Sequence, residues 1–272
     1  MDTTPSLEEI AAAAAYESLH VPALFREWAP WVADAAGIVP DQSVIDVACG
    51  TGVLAREAAL RLANTGSVTG LDPSPGMLAV AAQLAPEIQW REGVAEALPF
   101  PDDSFDVALS QFGLMFFQDR ALALQEMMRV LRPGGMLVVA VWESLENSEA
   151  YPLEVELLGR VGGEAAADAL RAPFTMGDRH QLAALFTQSG AASVDIATRR
   201  GTARFPSIRT MVEADLRGWL PVMGVNLMEE QIEAILEEAE RVLAQYVTAD
   251  GSVQFDAPGH IVSWQKPEDL LS

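Results

Sequence analysis

The chain has 272 residues, half of them hydrophobic, with one cysteine and a formal net charge of −22. That length suits one large α/β domain, or a core carrying a smaller helical addition, and the apolar fraction is ample for a sizeable core. The single cysteine, Cys49, excludes an intrachain disulfide and a multi-cysteine metal site and fits a reducing cytoplasm, while the acidic balance and a single lysine, Lys266, argue against nucleic acid, anionic membrane surfaces and polyanionic substrates.

No apolar run approaches the ~18 residues of a membrane span. Residues 1–25 carry Asp2, Glu8, Glu9 and Glu17 but no Lys or Arg, unlike the positive start of a secretory signal. Residues 1–36 read as a helical cap, helical from residue 6, with Ser6 as N-cap, Glu9 at capping-box spacing, and breaks at Pro22 and Pro30. From residue 37 to 272 the pattern is that of one α/β domain. Val44–Val47 reads as a strand, followed by the turn Gly50-Thr51-Gly52 and a helix over Val53–Ala63. Ser67–Leu71 is a second strand ending at Asp72, Ser74–Ala85 a second helix, Ile88–Val94 a third strand and Asp106–Ser110 a fourth. Asp119–Leu131 reads as a helix stopped by Pro133-Gly134-Gly135, and Met136–Trp142 as a long buried strand. This alternation implies βαβ units in a parallel sheet with right-handed crossovers. Beyond Trp142 it weakens. Asn147–Leu170 and Asp178–Ser189 read as helices, the latter with Asp178 as N-cap. Ala192–Phe205 reads as a strand, Ser207–Leu220 and Met228–Tyr246 as helices, and Gly259–Gln265 as the last strand. The segments at about 147–175 and 207–250 read as a helical lid or insertion.

Between the first strand and its helix, Gly50 and Gly52 let the backbone turn tightly and let a ligand approach without meeting a Cβ. The free N–H groups of the following helix point at that ligand. Gly50-Thr51-Gly52-Val53-Leu54-Ala55 fits the dinucleotide pattern G-x-G-x-x-G/A, and Asp72 lies ~20 residues beyond, where a ribose-binding carboxylate would stand. An NAD-dependent oxidoreductase is therefore a rival. Asp46 weighs against it, because a carboxylate four residues before the turn would face the pyrophosphate with like charge. The same carboxylate suits a cationic ligand; alternatively it only caps the loop.

Four segments in order carry a family resemblance. Val44–Ala55, Gly70–Leu78, Glu92–Asp106, and the pair Phe112–Phe117 with Arg129–Gly135 resemble the successive motifs of class I S-adenosylmethionine-dependent methyltransferases, over roughly residues 40–143. They are similar to the subgroup that includes the ubiquinone/menaquinone-biosynthesis enzymes. The resemblance implies a Rossmann-like α/β fold: a seven-stranded, mostly parallel sheet with helices on both faces, an N-terminal helical cap and a helical insertion before the last strand. It implies that Asp46, Gly50 and Gly52, with Ala48 and Thr51 of the same turn, hold the methionine part of S-adenosylmethionine. Asp72, with Pro73 beside it, would accept from the ribose. Met77 and Ala95 would flank the adenine, with Val94 and Glu96 next to them. Gln111 would face the methionyl end, and Tyr16 would lie near the cofactor. One position departs from the pattern: where many relatives place an Asp after the glycine equivalent to Gly93, this chain has Val94.

Methyl transfer from a sulfonium is an in-line displacement that needs alignment more than acid–base help. His20 and Tyr16 are the candidate catalytic side chains, and His180 is a further candidate base. His260 lies in a strand pattern and reads as structural, and Cys49 as a small buried residue. Phe25, Phe112, Met115, Phe116, Trp142, Phe174, Met176, Trp219 and Met223, together with Trp28, are candidates for an acceptor pocket; for each, core packing is the alternative. The expected acceptor is a small apolar or aromatic molecule methylated on O, N, C or S, with no metal and no stable membrane association. A non-catalytic S-adenosylmethionine-binding module is the third possibility.

Overall fold

A computed structural model describes residues 4–63 and 65–268. In chain order the elements are α1 (Leu7–His20), a π-helical turn (Val21–Phe25), α2 (Trp28–Ala36), β1 (Ser43–Val47), α3 (Val53–Arg61), β2 (Ser67–Asp72), α4 (Pro75–Leu84), β3 (Gln89–Glu92) and β4 (Phe105–Gln111). There follow α5 (Arg120–Arg129), β5 (Leu131–Trp142), α6 (Tyr151–Val161), α7 (Glu164–Arg171), α8 (Arg179–Gln188), β6 (Asp195–Phe205), α9 (Ile208–Ala214), a second π-helical turn (Asp215–Trp219), α10 (Leu220–Val222), α11 (Glu229–Val242) and β7 (Val253–Gln265).

The seven strands form one sheet in the order β3-β2-β1-β4-β5-β7-β6. β3 to β5 pair in parallel, and β7 runs antiparallel to both β5 and β6. β1, β4 and β5 are buried almost throughout, as strands covered by helices on both faces must be. Strand order reverses between β1 and β4, so the carboxyl ends of those two strands open the crevice in which such sheets bind ligands. The expected class of sheet is the observed one.

Local chemistry explains the helix starts. Ser6 and Glu9 form the reciprocal capping box of α1, and Asp178 accepts from the His180 and Gln181 amides at the head of α8. Several boundaries differ from expectation. Pro30 does not interrupt α2, because it sits in the first turn, where no intrahelical N–H is needed. Pro133-Gly134-Gly135 does not stop α5, which ends before Val130. The three residues lie inside β5, where the β4–β5 register shifts between Phe105 and Val107. The 147–170 segment is split into α6 and α7 at Gly162-Gly163. β7 begins at Val253 rather than at Gly259, because all eleven residues of β6 find partners along it. Among the described residues no helix is long and apolar enough to cross a membrane, and no group of three or more His, Cys, Asp or Glu is placed to hold a metal ion.

Candidate functional site

The site is built on the carboxyl ends of β1, β2 and β4. After β1 the backbone turns through left-handed conformations at Ala48 (φ 58°), Gly50 (φ 55°) and Gly52 (φ 84°). At Gly52 a side chain is excluded twice: by φ, and by the Trp90 indole, whose Cη2 would lie 2.3 Å from a Cβ there. The amide of Gly50 donates to one oxygen of Asp72 at 2.8 Å, and the amide of Ser74 donates to the other at 2.9 Å. Burial raises the pKa of Asp72, and those two donors oppose the rise.

Asp46 ends differently. Its side chain is 1 % exposed, and neither oxygen has a hydrogen-bond donor. Burial pushes its pKa up to about 8; the nearby Ala55 amide, which falls short of hydrogen-bond geometry, offsets this in part, and the Asp72 charge adds to it. Asp46 is therefore not a loop cap. It is a buried acid without a counter-charge; on the adjacent strand β4, Ser110 Oγ and Gln111 Oε1 are likewise buried without partners. In the sheet register Asp46 stands opposite Leu109 of β4, so Gln111, two residues on, shares its face of the sheet while Ser110 takes the other.

α1 lies over this turn. Tyr16 Cε1 would be 3.9 Å from a Cβ on Gly50. Its pKa is raised first by burial and then by the charges of Asp72, Glu17 and Asp46. The neighbouring Glu17 accepts from the Thr51 hydroxyl and from Arg56, whose guanidinium also donates to the Thr51 carbonyl. The Thr51 side chain is thus committed to docking α1. Arg56 and Glu17 carried no local spacing signal, since one belongs to α3 and the other to α1. Trp90 also went unmarked in the sequence, where one aromatic in a short strand carries no pattern.

Tyr16 stacks on His20 (5.5 Å, 21°) and on Phe25 (5.5 Å, 28°). Phe25 meets Phe112 at 5.6 Å and Trp142 at 6.1 Å, and Phe112 stacks on Trp142 at 3.8 Å. Phe112 has a positive φ of 57°, uncommon for a bulky side chain, and the Trp142 stack holds it there. Gln111 donates from Nε2 to the Phe25 carbonyl, tying β4 to the π-helical turn. His20 Nδ1 is buried without a partner, and burial lowers the His20 pKa.

The remaining candidates fall into separate places. Trp28 packs edge-on to Phe112 and Trp142 and lies against Gly201 of β6 and Gly259 of β7, which makes it a core wedge. Met115 is buried, and its carbonyl is held by Arg120. Phe116 is half-exposed and meets Trp219 at 5.1 Å, and Trp219 Nε1 donates to the Ala169 carbonyl. Phe174 packs on Tyr151 at 5.3 Å, Met176 is buried near it in sequence, and Met223 is exposed. The aromatic candidates therefore divide into a set at the turn and a set under the helical layer. Met77 and Pro73 lie at the head of α4, where Ser74 caps the Met77 amide. Ala95 is buried and Val94 is half-exposed. Glu96 is directed to the Gln118 and Asp119 amides, which fixes the approach to α5. His180 is exposed in the first turn of α8 and joins none of these contacts. His260 is wholly buried, with Nε2 donating to the Gly177 carbonyl and Nδ1 against the Thr198 hydroxyl, a structural bridge from β7 to β6. Cys49 is a free, buried thiol whose pKa burial raises, unsuited to nucleophilic work.

Comparison with known proteins agrees with this architecture. A family described as a methyltransferase domain matches residues 45–139. The demethylmenaquinone methyltransferase of Renibacterium salmoninarum is 47% identical over 116 residues, 42% of this chain and 47% of that protein. A ubiquinone/menaquinone biosynthesis C-methyltransferase of Escherichia coli is 33% identical over 190 residues, 63% of this chain and 75% of that protein. The chain spans about half the length of several of these curated relatives. Among solved structures, the YcgJ protein of Bacillus subtilis superposes with a TM-score of 0.60 at 19% identity, covering 89% of this chain and 99% of that one.

Proposed function

Since the chain belongs to the class I S-adenosylmethionine-dependent methyltransferases, in the group of the ubiquinone/menaquinone-biosynthesis enzymes, we propose that it transfers a methyl group from S-adenosylmethionine to a small, largely apolar or aromatic acceptor in the cytoplasm. The observation that carries this reading is Asp46, a buried carboxyl with no donor beside a glycine turn. A site of that kind is completed by a cation, and an anionic pyrophosphate beside both Asp46 and Asp72 would be repelled. That speaks against the dinucleotide rival.

The residues present fit the cofactor. Asp46 and the Gln111 Oε1 acceptor would hold the ammonium of the methionyl part, and the glycine turn would admit the chain of atoms between. Asp72 retains acceptor capacity beyond its two backbone donors and would take the ribose hydroxyls. Met77, Val94 and Ala95 would border the adenine, with Glu96 already committed to its two amides. When bound, the cofactor supplies a methyl group on a positively charged sulfur, a good leaving group.

The chain's own contribution is alignment and exclusion of water. α1, docked through Tyr16 and Glu17, would close the crevice over the turn. Phe25, Phe112 and Trp142 would form an apolar wall for the acceptor. His20, kept neutral by burial with Nδ1 unengaged, would take a proton from an acceptor that must lose one. Residues 1–36 act as this cap, residues 37–272 as the methyltransferase domain, and the 147–175 and 207–250 segments as its lid. Incubation with methyl-labelled S-adenosylmethionine and a panel of small aromatic acceptors is expected to label one of them. Label entering tRNA or DNA, and no small molecule, would overturn the proposal.

A further inference from the structure

α1 reaches from the head of α4 to the glycine turn. At its start the backbone of Glu9 lies so close to α4 that a Cβ on Gly76 would stand 2.7 Å from the Glu9 carbonyl oxygen. Towards its end the Tyr16 ring lies over Gly50, and the next residue, Glu17, holds the turn itself. One oxygen of the Glu17 carboxylate accepts from the Thr51 hydroxyl at 2.5 Å, and the other from Arg56 Nη2 at 2.8 Å. Arg56 Nη1 completes the loop of contacts by donating to the Thr51 carbonyl at 2.7 Å. Thr51 is wholly buried, and the Glu17 and Arg56 side chains are only 17 % and 24 % exposed, so water and salt screen this pair less than a surface pair.

Apolar packing holds α1 weakly. Of its fourteen residues only Ala13 is fully buried, so the helix adds little apolar area to the core. Elements with so few buried contacts lie at the low-stability end of a fold, from which lids are drawn. The C-terminal end of α1 supplies a pivot. The π-helical turn Val21–Phe25 follows it directly, with Pro22 in its first turn, and Gln111 ties the Phe25 carbonyl to β4. Leu19, which packs partly against the core, lies beside that pivot. Away from the pivot, α1 is fastened by the Glu17 hydrogen bonds and by the Glu9–Gly76 contact.

We propose that Glu17 is a positioning residue of the cofactor site: with Arg56 it latches α1 to Thr51 as a lid over the glycine turn, and S-adenosylmethionine enters, and its demethylated product leaves, only when that latch opens. This rests on the methyl-transfer reading above and adds the step that sets cofactor exchange. Glu17 acts through the turn and through Tyr16, its neighbour on α1. Thr51 is the one side chain between the left-handed Gly50 and Gly52, so a single carboxylate sets the shape of the turn and the position of the lid together. With the latch shut, Tyr16 covers Gly50 and keeps water from the turn. A latch that holds the lid equally with and without ligand changes how fast the ligand passes and not how tightly it is held. Loosening it therefore raises the association and dissociation rate constants together.

Surface plasmon resonance on the full chain, with S-adenosylhomocysteine as the probe, reads both rate constants. In Glu17→Ala both are expected to rise about ten-fold, with Kd within about two-fold of the wild-type value. Gly76→Ala drives a methyl into the Glu9 backbone without touching the latch, and should raise both constants by about the same factor. Because Glu17 and Arg56 form one latch, the Glu17→Ala/Arg56→Ala double variant should exchange about as fast as Glu17→Ala alone, not by the product of the two single effects. Unchanged exchange in Glu17→Ala or Gly76→Ala would overturn the proposal. So would multiplying effects in the double variant, or a faster dissociation with association unaltered, which would make Glu17 part of the seat and not of a gate. Failure of the wild-type chain to bind S-adenosylhomocysteine would instead overturn the methyl-transfer reading beneath it.

Discussion

Among the described residues two pairs of acids are buried, one at the strand ends and one in the helical layer, and they are held in different ways. Asp46 and Asp72 sit at the carboxyl ends of the adjacent strands β1 and β2, where sheet register fixes their backbones. Asp72 is satisfied by two amides of the neighbouring loops, and Asp46 by none. Glu154 and Asp215 belong to α6 and a π-helical turn, brought together only by helix packing, and three of their four oxygens lack a donor. A strand end presents free amides close by; a helix interior has already spent its own. The first pair is therefore partly stabilised by backbone donors, whereas the second has only its own members to share a proton between.

The largest expected effect falls on the strand-end pair. Asp72→Ala should weaken S-adenosylmethionine binding about a hundred-fold in calorimetry, because charge-assisted hydrogen bonds are lost and two amides are left facing the gap. Unchanged affinity would remove Asp72 from the site. Next in size is the pH dependence of Asp46, whose pKa is pushed up to about 8. A cation binds the ionised form, so affinity for S-adenosylmethionine should fall as pH drops below 8, by up to about ten-fold per unit, and Asp46→Asn should abolish that slope. A flat wild-type profile from pH 6 to 8 would show that Asp46 does not face the charge.

The helical pair should report through stability. Burial raises the folded-state pKa of Asp215 to about 7 from the usual carboxyl value of 3.8, so the folded chain holds the extra proton. That contribution is present at low pH and is lost as pH rises between those two values. Asp215→Asn should therefore stabilise the chain by about 1–3 kcal/mol at pH 8 and by little at pH 4, seen in urea unfolding at the two pH values. Equal effects at both would mean that the group does not titrate in that window. Smallest is His180→Ala, expected to change neither stability nor cofactor affinity by more than about 0.5 kcal/mol, since the side chain is exposed on α8.

Legibility followed the same division. The glycine turn, Asp46 and Asp72 stood out in the sequence because each depends on residues close along the chain: a strand, a tight turn, a helix start. The Ser6 and Asp178 caps were legible for the same reason. Glu17 was not, because its partners Thr51 and Arg56 reach it only after α1 folds back over α3. Pro133-Gly134-Gly135 was misjudged as a helix stop because proline and glycine signal a break without saying whether a turn or a bulged strand follows. Gly134 donates its amide to the Lys266 carbonyl near the far end of the chain, which no local pattern reveals. His20 and His180 were alike in sequence; burial alone distinguishes an unpartnered imidazole behind Tyr16 from an exposed one on a surface helix.

By itself, the sequence determined the order of strands and helices, the glycine turn after the first strand and the carboxylate that precedes it, since periodicity, glycine placement and a short strand act over a few residues. Only the tertiary structure decided that Asp46 has no partner, that Trp28 is a core wedge, that the aromatic candidates divide into two sets, and that Glu154 meets Asp215. Burial and pairing are properties of neighbours in space, and those neighbours come from segments that the chain keeps far apart until the sheet and its helical layer close.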